Sequence, residues 1–275
     1  MTSPTKQRAF IWCGPAMMVL FLAGLLIARW IVPPAPTETA HEIATMYRTH
    51  TVAIRIGIFL AVVGTTLLAP FVSAISVQLA RIEGRSPISA YCQLMLGGVL
   101  VLEVILPLMV MATAAYRPER PDEAILSLND EGWLLLAGLV TTISLELVVT
   151  GFTILRDRRP EPVFPRWSAW FNFVCAVPIG FGIFDIFART GPFAWDGALA
   201  WYGAVGTFGI WIAVMTVLLL RAVARQERDA GAVEDGAVED GLGELRSEVA
   251  RLRADVAALR GSPAPESAGM RSNGS

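Results

Sequence analysis

Charge is scarce in this chain of 275 residues: Asp, Glu, Lys and Arg make up 17% of it, where soluble domains carry about 25%. The net charge is −2, which gives no reason to expect nucleic acid as a partner. Lys6 is the only lysine among 22 basic residues, a bias that reads as genome composition and not as function. Histidine occurs twice, as His41 and His50, both outside the apolar segments, which argues against b-type haem and most membrane di-metal chemistry. The three cysteines, Cys13, Cys92 and Cys175, lie far apart in apolar stretches, so neither a disulfide framework nor a metal spacing can be built, and they read as small buried hydrophobes. No phosphate-binding loop, dinucleotide fingerprint or nucleophile elbow is present. Trp12-Cys13-Gly14-Pro15 imitates a dithiol redox motif, but Ala16 stands where the second cysteine belongs. His41-Glu42 begins like a zinc-protease helix, yet residue 45 is Thr. No cofactor is expected, and a metal has only His41 and His50 as candidates.

What the chain has in abundance is apolar sequence: 54% hydrophobic residues and a mean hydropathy of +0.55. Spanning the hydrocarbon as a helix takes about 20 apolar residues. Six stretches qualify, roughly Phe10–Ile31, Val52–Val77, Ala90–Ala115, Trp133–Leu155, Trp167–Phe187 and Trp201–Leu220. The expected fold is all-α, a polytopic six-helix transmembrane bundle over residues 1–225. Pro15, Pro70, Pro107 and Pro178 fall inside four spans, where neighbouring helices can satisfy the freed carbonyls. The tyrosines, and every tryptophan but Trp211, lie near span ends, as an interfacial aromatic belt requires. The first run is too long for a signal peptide's apolar core and ends at Arg29-Trp30, so it is read as a retained helix.

Arg and Lys in the short loops fix the expected orientation. Eleven lie on the side of the N-terminus and four on the other, or six if Arg29 and Arg55 are added there. Both termini are therefore expected in the cytoplasm, in a multi-pass protein of the plasma (inner) membrane. On the outer side, Thr39-Ala40-His41-Glu42 matches a capping box opening a short helix with Ile43, Met46 and Tyr47 on one face. Pro121 is placed to open another in the acidic second outer loop.

After Arg228 the composition changes. Residues 226–241 read as an acidic, Gly-containing linker with Gly-Ala-Val-Glu-Asp twice in succession. Leu242, Leu245, Val249, Leu252, Val256 and Leu259 then alternate at spacings of three and four, with valine at a and leucine at d, the choice that favours a parallel dimer. Glu248 with Arg253 and Asp255 with Arg260 supply matching g–e charges. A short cytoplasmic coiled coil over 242–260 and a homodimer are expected, with Gly261 as helix stop and 261–275 as a disordered tail. The alternative is a lone amphipathic helix on a protein or lipid surface.

Two carboxylates stand where carboxylates are expensive, about 2.5–3.5 kcal/mol each on insertion scales. Glu103 is at the middle of the third span and Glu146 thirteen residues into the antiparallel fourth, which places them at nearly one depth. Gly138, Thr142, Glu146, Thr150 and Thr153 fall on one face of the fourth span; Arg55, Thr66, Ala69, Ser73 and Ser76 do so on the second. Polar and small stripes on apolar helices face the bundle. The expected site is a polar seam of Glu103, Glu146, Arg55, Thr66, Thr142 and Thr150 between spans two, three and four, with Arg55 near its outer mouth. The other reading of the same residues is interhelical glue. Asp185, near the outer end of the fifth span, reads as interfacial, and Gly203, Gly206 and Gly209 as close helix packing.

The spacing of the six spans and the phrase Phe164-Pro165-Arg166-Trp167 entering the fifth resemble bacterial six-helix membrane proteins of unknown function, over residues 10–225. That resemblance implies no catalytic residue. The functional expectation is small-molecule or proton-linked transport with a midplane carboxylate pair; the alternative is a membrane scaffold or sensor that recruits or dimerises with a partner through the coiled coil. An enzyme acting on lipid has only the carboxylates in its favour.

Overall fold

The computed structural model describes residues 4–261, except for the side chains of 232–240 and 254–261. Among the described residues all regular structure is helical: α1 (Pro4–Ala28), α2 (Ala40–Thr49), α3 (Thr51–Thr66), α4 (Leu68–Glu83), α5 (Ile88–Tyr116), α6 (Asp122–Gly138), α7 (Thr141–Leu155), α8 (Trp167–Gly180), a 3₁₀ segment (Phe181–Phe187), a π segment (Ala198–Gly203) and α9 (Ala204–Gly261). Six stretches are long and apolar enough to cross a membrane, namely α1, α3 with α4, α5, α6 with α7, α8 with the 3₁₀ segment, and the π segment with α9 to Gly231. This is the architecture of a multi-pass membrane protein.

The breaks within spans follow from sequence. Pro70 has no N–H for the carbonyl of Thr66 and its ring crowds that carbonyl, so α3 ends there and α4 starts at Leu68. Pro178 stands before the change from α8 to 3₁₀ winding. The junction of α6 and α7 contains no proline. There Gly138 is followed by Val140, Thr141, Thr142 and Ile143, a β-branched run with weak helix propensity. Leu139 takes φ −78°, ψ 58° and the Val140 N–H donates to Gly138 O at 2.8 Å; this is an inverse γ-turn. Outside the spans, Thr39 and Glu42 form the expected reciprocal capping box on α2. The helix opened after Pro121 is not separate: it runs on as α6 into the fourth span.

Helices α1 and α3 pack at backbone contact. A Cβ on Gly24 would stand 2.5 Å from Gly57 O, and one on Gly57 would stand 2.4 Å from Gly24 O. The glycines expected to pack closely on the last span do not all do so, since a Cβ on Gly206 would meet nothing within 4 Å.

The core falls into two clusters. One, around Phe71, Trp211, Met215 and Leu147, joins α1, α4, α5, α7, α8 and α9. The other, around Trp30, Tyr47, Trp133, Trp195 and Trp201, lies under α2 and the loops joined to it. Trp12, Trp167 and Trp170 are exposed as a belt demands. Trp30, Trp133, Trp195 and Trp201 are buried; Trp30 meets Tyr47 and Trp133 edge-on, and Trp133 meets Trp201 at 5.2 Å. At that side most of the predicted belt is a core, because α2 covers it. Of the cysteines only Cys175 is buried.

Residues 225–275 form a second unit. Its described part is helical through the predicted linker, in which no proline interrupts α9. Leu242, Leu245, Val249 and Leu252 are exposed along it. The side chains of Val256 and Leu259, and the tail after Gly261, lie outside the described residues.

Candidate functional site

The γ-turn at Leu139 leaves two helix ends inside the bundle: the C-terminus of α6 and the N-terminus of α7. Helix N-termini carry positive and C-termini negative partial charge. Thr142 lies in the first turn of α7 and donates its hydroxyl to Glu103 Oε2. Glu103 thus faces the positive end of a half-helix, where an anion is favoured.

Beside Glu103 is a cavity of about 90 Å³, lined by α1, α3, α4, α5, both sides of the break, α8, the π segment and α9. Its wall is apolar (Phe21, Leu100, Val140, Trp201 and Phe208 among others), and Glu103 and Thr65 supply the polar side chains. A water occupies about 30 Å³ in the liquid, so a few waters or one small solute group fit. Non-helical backbone within a bundle is tolerated where it lines such a cavity.

Glu146 is elsewhere. It is fully buried and accepts a hydrogen bond from Gln93 Nε2 on α5 at 2.7 Å. Its second oxygen, Gln93 Oε1 and the Thr150 hydroxyl have no hydrogen-bond partner. Gln93 precedes Glu103 by ten residues on α5, roughly 15 Å along the axis. Glu103 is bonded by Thr142 of α7 and Glu146 by Gln93, at another level of α5, and the two carboxylates share no hydrogen bond. They form two sites, one open to the cavity and one closed.

Other predicted members are not brought to either. Arg55 is exposed and donates from Nε and Nη2 to Ala115 O, and from Nη2 to Tyr116 O, capping the end of α5 while its guanidinium lies 5.9 Å from the Tyr116 ring. Thr66 is exposed and donates to Val63 O of its own helix. Thr66 and Ala69 continue the outward face that Arg55, Phe59 and Val63 show on α3, whereas Thr65 continues the buried face of Ile54, Ile58 and Ala61 and reaches the cavity. Ser76 remains buried and donates to Ala90 O. His41 pairs with Asp122 at 3.1 Å, and Arg48 reaches the same carboxylate at 2.7 Å. His50, at the α2–α3 junction, is nine residues and roughly 13 Å of helix away from His41. They do not form a metal pair, and among the described residues no group of three His, Cys, Asp or Glu side chains clusters for a metal.

Gln93 and Thr65 escaped the sequence reading although both are polar residues inside spans. Asp185 was taken as interfacial but is 3% exposed. It lies against Gly138, which the break has removed from the face of Thr142 and Glu146.

The chain was compared with family models, curated proteins and solved structures, and matches none of them.

Proposed function

We propose that this multi-pass protein carries a small solute or protons across the plasma membrane, with Glu103 as the carboxylate that meets the cargo. The supporting observation is the central cavity reaching Glu103 where α7 begins inside the bundle. An apolar wall with one carboxylate suits protons or a small, mostly apolar cation. Glu146, the second carboxylate of the expected pair, is closed off with Gln93 and does not line this cavity. The arginine distribution supports both termini in the cytoplasm. On the spacing of its spans we group the chain with bacterial six-helix membrane proteins of unknown function.

The test is proton flux into proteoliposomes under an imposed gradient, with a panel of small organic cations as counter-substrates. Wild-type protein should collapse the gradient, by itself or with one of the cations, and Glu103→Gln should abolish the flux. Wild-type vesicles as tight as empty ones throughout the panel would sink the proposal.

A second reading, a scaffold or sensor that dimerises through a coiled coil over 242–260, is favoured by one observation. Leu242, Leu245, Val249 and Leu252 are exposed along an unbroken α9. Deleting residues 226–275 separates the two: a transporter keeps its flux, whereas a scaffold loses its dimer and its partner.

A further inference from the structure

The other end of the break, the C-terminus of α6, has the opposite polarity and an opposite demand. Leu139 N–H still bonds to Leu135 O, but Val140 N–H turns back to Gly138 O. The carbonyls of Leu136 and Ala137 consequently accept no hydrogen bond from the described residues. The 3₁₀ segment is laid across this end: a Cβ on Gly182 would stand 2.1 Å from Ala137 O. Residues three apart eclipse on a 3₁₀ helix, so Asp185 lies on the same face as Gly182. A Cβ on Gly138 would stand 2.8 Å from Asp185 Oδ1 and 3.3 Å from Oδ2. Asp185 is buried, and neither oxygen has a hydrogen-bond partner among the described residues.

This place therefore gathers acceptors without donors: a carboxylate and the orphaned carbonyls of a half-helix, at the negative pole of that half-helix. A buried carboxylate in such company is satisfied either by a proton or by a bound positive charge. The oxygens are hard ligands, and a single carboxylate with neutral carbonyls balances one unit of charge. We propose that the end of α6 and Asp185 form a binding site for an alkali-metal cation. The site does not rest on the transport reading, because its carboxylate, Asp185, does not line the Glu103 cavity, although Leu136 and Ala137 do.

The experiment is thermal unfolding of the full chain in detergent at pH 8, in sodium, potassium or choline chloride of equal ionic strength. Sodium or potassium should raise the Tm of wild-type protein over choline by about 3 °C or more. Asp185→Asn should remove that increment. Gly138→Ala, which puts a methyl group against Oδ1, should reduce it and carries the test if Asp185→Asn does not fold. Glu103→Gln should keep the increment, which separates this site from the transport path. Equal Tm in all three salts, as a merely protonated Asp185 would give, overturns the proposal. So does an increment that survives in Asp185→Asn or is undiminished in Gly138→Ala.

Discussion

Glu103 and Asp185 face opposite poles of one interrupted span: Glu103 takes the hydroxyl of Thr142 in the first turn of α7, and Asp185 lies against Gly138 in the last turn of α6. A continuous helix at this point would offer neither end. The inverse γ-turn at Leu139 creates both.

The bond between Gln93 and Glu146 is the interior contact whose loss is easiest to read. Glu146→Leu leaves the Gln93 amide buried without a partner, and Gln93→Leu leaves the carboxyl so. Each should destabilise the protein by about 1–3 kcal/mol, while replacing both should cost less than the sum of the two. Unfolding of the two single variants and the double variant in mixed micelles measures this; strict additivity would show that the two side chains do not interact.

At the α1–α3 crossing, each glycine faces the carbonyl oxygen of the other across backbone that has no freedom to move aside. Gly24→Ala or Gly57→Ala should separate the helices and destabilise by about 1–3 kcal/mol. Gly206→Ala, in open space, should be neutral or slightly stabilising. The order of the three melting temperatures is the measurement.

Arg55 is predicted to act on stability and not on selectivity. Its fork holds two carbonyls at the end of α5, a geometry that an ammonium cannot reproduce. Arg55→Ala should cost about 1 kcal/mol for this exposed side chain, and Arg55→Lys should recover only part of it. Neither should alter the flux assigned to Glu103. A change in flux at unchanged stability would restore Arg55 to the path.

The cap of α2 provides a pH dependence. Glu42 accepts from the Thr39 N–H and from its hydroxyl, and these bonds hold its pKa below the ordinary 4.5. The carboxylate form is favoured in the folded state, so its stabilisation is complete above the unfolded value and lost as pH falls through the lower folded one. Glu42→Gln should therefore differ most from wild type near neutrality, and the difference should vanish in acid. Thr39→Ala should cost about 1 kcal/mol. Melting curves of both variants from pH 7 downward test the sign.

Apolar run length was enough to delimit the six spans, because the thickness of hydrocarbon sets a minimum helix length that composition either meets or does not. The Thr39–Glu42 cap was equally legible, since its partners are three residues apart in the chain. Glu103 and Glu146 were legible as unusual, being ionisable within apolar runs, and Thr142 as a neighbour of one of them.

What the sequence could not determine was which faces meet. Counting residues around a helix shows which residues share a face but not whether that face meets protein or lipid, and the break at Leu139 also resets the phase. On α3 the stripe of Arg55 and Thr66 is the outward face and Thr65 lies on the buried one, and the γ-turn at Leu139 separated Gly138 from the face of Glu146. Only the tertiary structure assigned Gln93 to Glu146, because those partners are 53 residues apart and side-chain reach selects among several polar groups near the same level. It alone buried Asp185, since burial depends on the 3₁₀ segment crossing the end of α6, and winding at two ångströms per residue is not written in the apolar run. Composition and length set the number of helices; the interruptions and the packing across them decided which carboxylates are brought to the break.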